Sequence, residues 1–173
     1  MTVLADYDPA WPTQYADMAA HLTAAFGDSV DAVEHIGSTA VPGLVAKPVI
    51  DIAARAVTLD AIDDKPLAAL GFEHNPDGPP NRRTYTRVVG GVLTHNLHVF
   101  PATAWDHLNQ RLLRDYLRDT PDAVRRYAEL KHTLAAEGLT GFDYTKAKTT
   151  LIQELTDDAR ARRGLPSVPV WES

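Results

Sequence analysis

The sequence predicts an α+β (mixed α/β) fold in one domain, residues 1–173, with a mixed sheet packed against helices and a helical C-terminal third. Three observations predict it. Apolar residues recur at spacings of three and four near the N-terminus and again beyond residue 103, which is helical periodicity. Between these stretches lie β-rich runs bounded by Gly and Pro: "VDAVEHI", "PVIDIAARAV", "TYTRVV" and "VLTHNLHVF". The order is helix, strands with a helix between them, then helices, with no internal repeat, linker or low-complexity segment.

The elements follow in order. "PTQYADMAAHLTAAFG" is an amphipathic helix carrying Tyr15, Met18, Leu22 and Phe26, with Gly27 as its stop. "VDAVEHI" is a strand ending at a Gly-Ser loop. "PVIDIAARAV" is a second strand, with Ile50 and Ile52 on one face and Asp51 and Ala53 on the other. A short helix lies within residues 60–70, where Pro66 interrupts the pattern. "GFEHNPDGPPNRR" reads as a strand end plus loop. "TYTRVV", "GG" and "VLTHNLHVF" form a hairpin. In its second strand Thr94, Asn96 and His98 share one face, and Leu93, His95, Leu97 and Val99 the other. Thr103 is a candidate cap for a helix carrying Trp105, Leu108, Leu112 and Tyr116. Thr120-Pro121 starts the next helix, with Val124, Tyr127, Leu130 and Leu134 as its stripe and Gly138 as its end. Asp143 opens the last, with Leu151, Ile152 and Leu155. "LPSVPVWES" reads as a loosely held tail.

Composition bounds the function. The 173 residues are 45% hydrophobic and 23% charged, as in an ordinary soluble globular protein with a full core. No cysteine is present, which rules out disulfides and zinc–thiolate sites and is compatible with the expected cytoplasmic location. The N-terminus lacks a signal-peptide pattern, and no apolar stretch is long enough for a bilayer, so no membrane partner is expected. A formal net charge of −6 argues against general nucleic-acid binding, but a local basic site for one phosphorylated small molecule or nucleotide remains compatible with it.

The densest stretch is "EHIGSTAVPGLVAKPVIDIAA". Gly37 lets the backbone approach a ligand closely, and successive N–H groups can cradle an anion. The Ser38 and Thr39 hydroxyls can donate to phosphate oxygens, and Lys47 can supply charge. A Walker A loop is excluded: five residues, not four, separate Gly37 from Gly43, and Pro48 follows Lys47. The alternative is a tight turn held by Ser and Thr. Asp51 is a sharper candidate, because an acid amid aliphatic strand residues needs a salt-bridge partner, a metal or a catalytic task. Arg55, Arg83 or Lys47 would be its structural partners.

"YDPAWPTQY", "EHIGSTAVPGLVAKPVIDI", "THNLHVF", "LLRDYLRDTP", "YAELK" and "YTKAKTTLIQE" occur in the order seen in the GrpB family, which this chain resembles from about residue 6 to 155. The resemblance implies a nucleotidyltransferase-like fold related to the DNA polymerase beta superfamily. There a Gly-Ser turn holds a triphosphate, and an Asp-x-Asp pair with a third carboxylate on a later strand holds magnesium. Gly37 and Ser38 match the turn and Asp51 the first aspartate. Ala53 stands at the second aspartate, and "LTHNLHVF" offers His98 where a carboxylate is expected. Asp51 and His98 are thus the candidate catalytic pair and the candidate ligands for one divalent ion, Mg or Mn. A GrpB-like domain fused to dephospho-CoA kinase in some bacteria implies a partner enzyme as a further possibility.

The remaining candidates are weighed on their placement. His35 could orient the loop or a phosphate, or serve as a hydrogen-bonded strand end. His95 points with Leu93 and Leu97 and is expected in the core. Arg83 shares a face with Tyr85 and is a candidate ligand residue. Tyr144 and Lys148, four apart, meet on one helical face and could close one side of a binding site. Arg114 with Asp115 suits an internal ion pair. Arg160, Arg162 and Arg163 complement a helix C-terminus. Three functions remain: a nucleotidyl- or phosphoryl-transfer enzyme, a phosphate- or nucleotide-binding domain without the metals, and an accessory or folding-assistance module.

Overall fold

The computed structural model describes residues 3–138 and 141–170, and the chain forms two compact units. The first comprises Pro9–Ala40 and Val49–Asp106, the second Met1–Asp8, Val41–Pro48 and His107–Ser173.

The first unit holds the sheet. Helix α1 spans Trp11–Phe26, with Pro12 in its first turn, where a missing N–H costs nothing. Strands β1 (Val30–Ile36) and β2 (Ile50–Ala56) follow, then helix α2 (Asp64–Ala69), β3 (Phe72–His74), β4 (Arg83–Val89) and β5 (Val92–Pro101). The strand order is β1-β2-β5-β4-β3. Only the β2–β5 pair is parallel, and it sets Asp51 beside Asn96 and Ala53 beside His98. Strand alternation then separates two faces. Ile50, Ile52, Ala54, Leu97, Val99 and Tyr85 form the apolar face and are buried. Tyr15 of α1 stacks on His35 at that face and donates its hydroxyl to the Val33 carbonyl at 2.9 Å. Asp51, Asn96, His98 and Thr84 share the opposite face.

The second unit holds α3 (Asn109–Asp119), α4 (Pro121–Ala136) and α5 (Gly141–Ala161). Val41 and Leu44 pack with Leu117, Ala123, Tyr127 and Leu155 as its core. Lys131 is buried there. Its Nζ donates to the Val45 carbonyl at 3.0 Å and lies 4.5 Å from the Tyr127 ring centroid. Arg114 pairs with Asp115 at 2.8 Å.

Several boundaries differ from the sequence expectation. The helix expected from Thr103 is two elements: a 3-10 segment, Ala102–His107, carries Trp105, and α3 begins only at Asn109. Pro66 does not interrupt α2, because it occupies the first turn, behind an Asp63 cap that accepts from the Lys65 N–H. The last helix begins two residues before Asp143. The tail is held through Val170: Gln153 donates to the Val168 carbonyl at 2.9 Å and accepts from the Val170 N–H at 3.2 Å, and Ser167 donates to Asp157 at 2.6 Å. Arg160 donates to Pro166, His107 and Asn109, which fixes the start of the tail. Residues 171–173 of the expected tail lie outside the described residues.

Candidate functional site

The polar face is built from the β1–β2 turn outward. Gly37 has φ +76, a conformation that L side chains rarely adopt. A Cβ at this position would stand 2.5 Å from Asp51 Oδ2, so both the backbone angle and the approach to the carboxylate require glycine. The other carboxylate oxygen, Oδ1, accepts from Asn96 Nδ2 at 2.9 Å. The Asn96 amide thus turns its nitrogen toward Asp51, which leaves its oxygen as an acceptor. Arg55 and Arg83, two of the expected partners of Asp51, are engaged elsewhere: Arg55 with Asp31 at 2.7 Å and Arg83 with Asp64 at 3.5 Å.

His35 and Thr39 support the turn from beneath. Thr39 is 1% exposed, and its hydroxyl donates to the Val49 carbonyl at 3.4 Å and pairs with His35 Nε2 at 2.9 Å. Thr39, a candidate ligand residue, braces the loop through these two contacts. His35, buried beneath the stacked Tyr15 ring, orients the loop.

Along β5, His98 lies two residues beyond Asn96 on the same face and directly opposite Thr84 on β4. Its Nδ1 is buried without a hydrogen-bond partner. Burial first, and the charge of Arg82 second, push its pKa down to about 4, so the ring is neutral at physiological pH. Arg82 lies 5.3 Å from the Phe100 ring centroid, and Phe100 stacks beside His98 at 6.2 Å. Thr84 Oγ1 and Arg82 Nε are likewise buried without partners.

Arg83 does not join this face. It donates to the Ile62 carbonyl at 3.1 Å, alongside Tyr85, whose hydroxyl donates to Asp64 at 2.7 Å. Alternation from Thr84 sends both side chains to the α2 side, so Arg83, a candidate ligand residue, lies on the face opposite Asp51. His95 is half-buried, bonded through Nδ1 to Thr94 Oγ1 at 2.9 Å and edge-on to Phe72, in keeping with a core-facing histidine. Lys47, Tyr144 and Lys148 belong to the helical unit. Both lysines approach the buried Tyr144 ring, at 5.5 and 4.5 Å from its centroid. Burial, then the charge of Lys47, lower the Lys148 pKa to about 8. An open groove of about 460 Å³ between α4 and α5, bordered by Arg126, Glu129 and Glu154, contains none of the expected site residues.

The donor set does not fit a two-ion magnesium centre. Hard cations need several carboxylate oxygens. Here Asp51 is bonded to an amide, Ala53 has no donor atom, and no group of three or more His, Asp or Glu that could hold a metal occurs among the described residues. Three residues of the polar face were not singled out from sequence: Asn96, Arg82 and Thr84. Asn96 was visible on the His98 face, but its pairing with Asp51 depends on the parallel β2–β5 register, which a sequence does not state.

The family model described as GrpB protein matches residues 2–158. A UPF0157 protein of Pseudomonas aeruginosa is 35% identical over 170 residues, covering 93% of this chain and 69% of that protein. The crystal structure of conserved protein GrpB from Enterococcus faecalis superposes with a TM-score of 0.85 at 28% identity, covering 94% of this chain and 99% of that one. A protein named dephospho-CoA kinase from Mycolicibacterium paratuberculosis is 31% identical over 154 residues, which are 73% of this chain and 38% of the kinase.

Proposed function

The chain belongs to the GrpB family, and from that premise we propose that its polar sheet face binds a phosphorylated small molecule or nucleotide without performing two-metal nucleotidyl transfer. One observation carries this reading: the Asp51 carboxylate takes a hydrogen bond from the Asn96 amide, with no second acid at the Ala53 or His98 positions beside it. In-line phosphoryl displacement relies on cations that clamp the attacking and leaving oxygens. A single aspartate committed to an amide, beside Ala53, supplies no such clamp. What Asp51 and the Asn96 oxygen do supply is a pair of acceptors, half-buried and next to the Ser38 hydroxyl turn. Two acceptors side by side select donors, such as ribose hydroxyls or an exocyclic amino group.

The test is a thermal-shift panel of ribonucleoside mono-, di- and triphosphates and dephospho-CoA, run in EDTA and again with Mg²⁺ or Mn²⁺. A nucleotide should stabilise the wild type equally in each condition, and Ser38→Tyr should abolish the shift while keeping the fold. Metal-dependent release of pyrophosphate, or a nucleotidylated product, would restore the enzyme reading and defeat this one.

One observation favours a second reading, an accessory module for a partner enzyme. The β4–β5 hairpin tip leaves Val88, Val89 and Val92 exposed by 54%, 49% and 64%. Co-sedimentation with a dephospho-CoA kinase, abolished by Val89→Lys, would support it. Independent sedimentation of the two proteins would remove it.

A further inference from the structure

Lys47, Tyr144 and Lys148 form a cation cluster within the helical unit. Both ammonium groups approach the ring of Tyr144, which is buried: Lys148 Nζ lies 4.5 Å from its centroid and Lys47 Nζ 5.5 Å. Spacing of four on α5 sets Lys148 over the ring, and the segment 41–48 brings Lys47 to the same ring. One cation on an aromatic ring is ordinary packing. A second beside it adds repulsion, and neither lysine has an ion pair or hydrogen bond among the described residues to offset it. Burial and the Lys47 charge are what lower the Lys148 pKa, and no acid contributes. The cluster is nevertheless open to reagents. Lys47 is exposed and Lys148 half-buried, and the sealed, unpartnered polar atoms among the described residues lie on other side chains.

We propose that Lys148 is an acylation site that reacts with acyl phosphates, with Lys47 as the seat of the departing phosphate. The unprotonated amine is the nucleophile, and a lysine desolvated beside a second cation is unprotonated far more often at neutral pH than an exposed one. Its nitrogen adds to the acyl carbon. The C–N bond forms, the bond from that carbon to the phosphate oxygen breaks with its electron pair, and inorganic phosphate leaves. The amine's proton passes to phosphate or water, and Lys148 ends as a neutral amide. Lys47 supplies the other requirement, a nearby cation for the phosphate whose charge grows as the bond breaks. An uncharged ester would gain from the first effect and not from the second. Acylation also relieves the cluster, because it removes one of two like charges. The proposal concerns the helical unit alone. It goes beyond the ligand-binding reading of the sheet face and stands if that reading fails.

The experiment incubates the full chain with acetyl phosphate near neutral pH and follows acetylation at each of its five lysines by peptide mass spectrometry. Lys65 and Lys146 are exposed and serve as internal references. Lys131, whose buried amine donates to the Val45 carbonyl, should react slowest. Lys148 should react at least about tenfold faster than either reference, the direction that a pKa of about 8 against 10.5 requires. In Lys47→Met the Lys148 rate should fall with acetyl phosphate and with p-nitrophenyl acetate, an uncharged ester. The fall should be roughly fivefold deeper with acetyl phosphate. If that variant does not fold, inorganic phosphate replaces it as a competitor. It should slow the acetyl phosphate reaction at Lys148 in the wild type and spare the ester reaction. Lys148 reacting no faster than Lys65 and Lys146 overturns the proposal. So does an equal effect on the two reagents, whether from Lys47→Met or from inorganic phosphate.

Discussion

Gly37 and Asp51 act as one unit, because a side chain at Gly37 would collide with the Asp51 carboxylate. Gly37→Ala forces an L residue to positive φ, at a cost of about 1–2 kcal/mol, and also drives a methyl group into Asp51 Oδ2. The variant should lose more than that conformational cost alone, measured by urea unfolding. In an Asp51→Ala background the loss should fall back toward it, the signature of direct coupling. No recovery would mean that Gly37 matters for backbone angle only. His98 carries a pH prediction. Its folded pKa, about 4, lies below the ordinary value of 6.5. Between these limits the unfolded chain binds more protons, so stability is complete above about pH 6.5 and is lost as pH falls toward 4. Between pH 7 and 4.5 the wild type should lose roughly 2 kcal/mol more than His98→Gln. Equal losses would show that His98 titrates as an exposed histidine.

At the scale of elements, the legible parts were those with strong local pattern. Pro12 and Gly27 bracket α1, Thr120-Pro121 and Gly138 bracket α4, and the paired glycines 90–91 join β4 to β5. The less legible parts depended on distant partners. The apolar spacing of Trp105, Leu108 and Leu112 is helical, yet the chain takes a tighter 3-10 path before Asn109. The tail has two prolines and no periodicity, so nothing local reveals that Gln153 and Arg160 of α5 reach its backbone. Gln153→Ala should therefore release the segment 165–170 to protease at a rate well above wild type, while α5 keeps its helical signal. Unchanged cleavage would mean that Arg160 and the Ser167–Asp157 bond suffice to hold the tail.

Across the whole molecule, each unit is assembled from separated stretches of chain, so the segment 41–48 between the first two strands belongs to the helical core. That is why Lys47, only four residues before Asp51, is found with Tyr144 and Lys148. The shared face of Asp51 and His98 was readable from strand alternation. The amide at Asn96 and the unpaired cation at Arg82 were not, because parallel register and burial without a partner exist only in three dimensions. The central claim, that this face binds its ligand without a metal clamp, is tested most directly by Asp51→Asn. Asparagine keeps an oxygen for the Asn96 amide, so the variant should unfold within about 1 kcal/mol of the wild type. In calorimetric titration with AMP in EDTA, the wild type should bind and Asp51→Asn should bind at least tenfold more weakly, with Mg²⁺ changing neither. Binding by the wild type that appears only with Mg²⁺, and vanishes with the aspartate, would contradict the account.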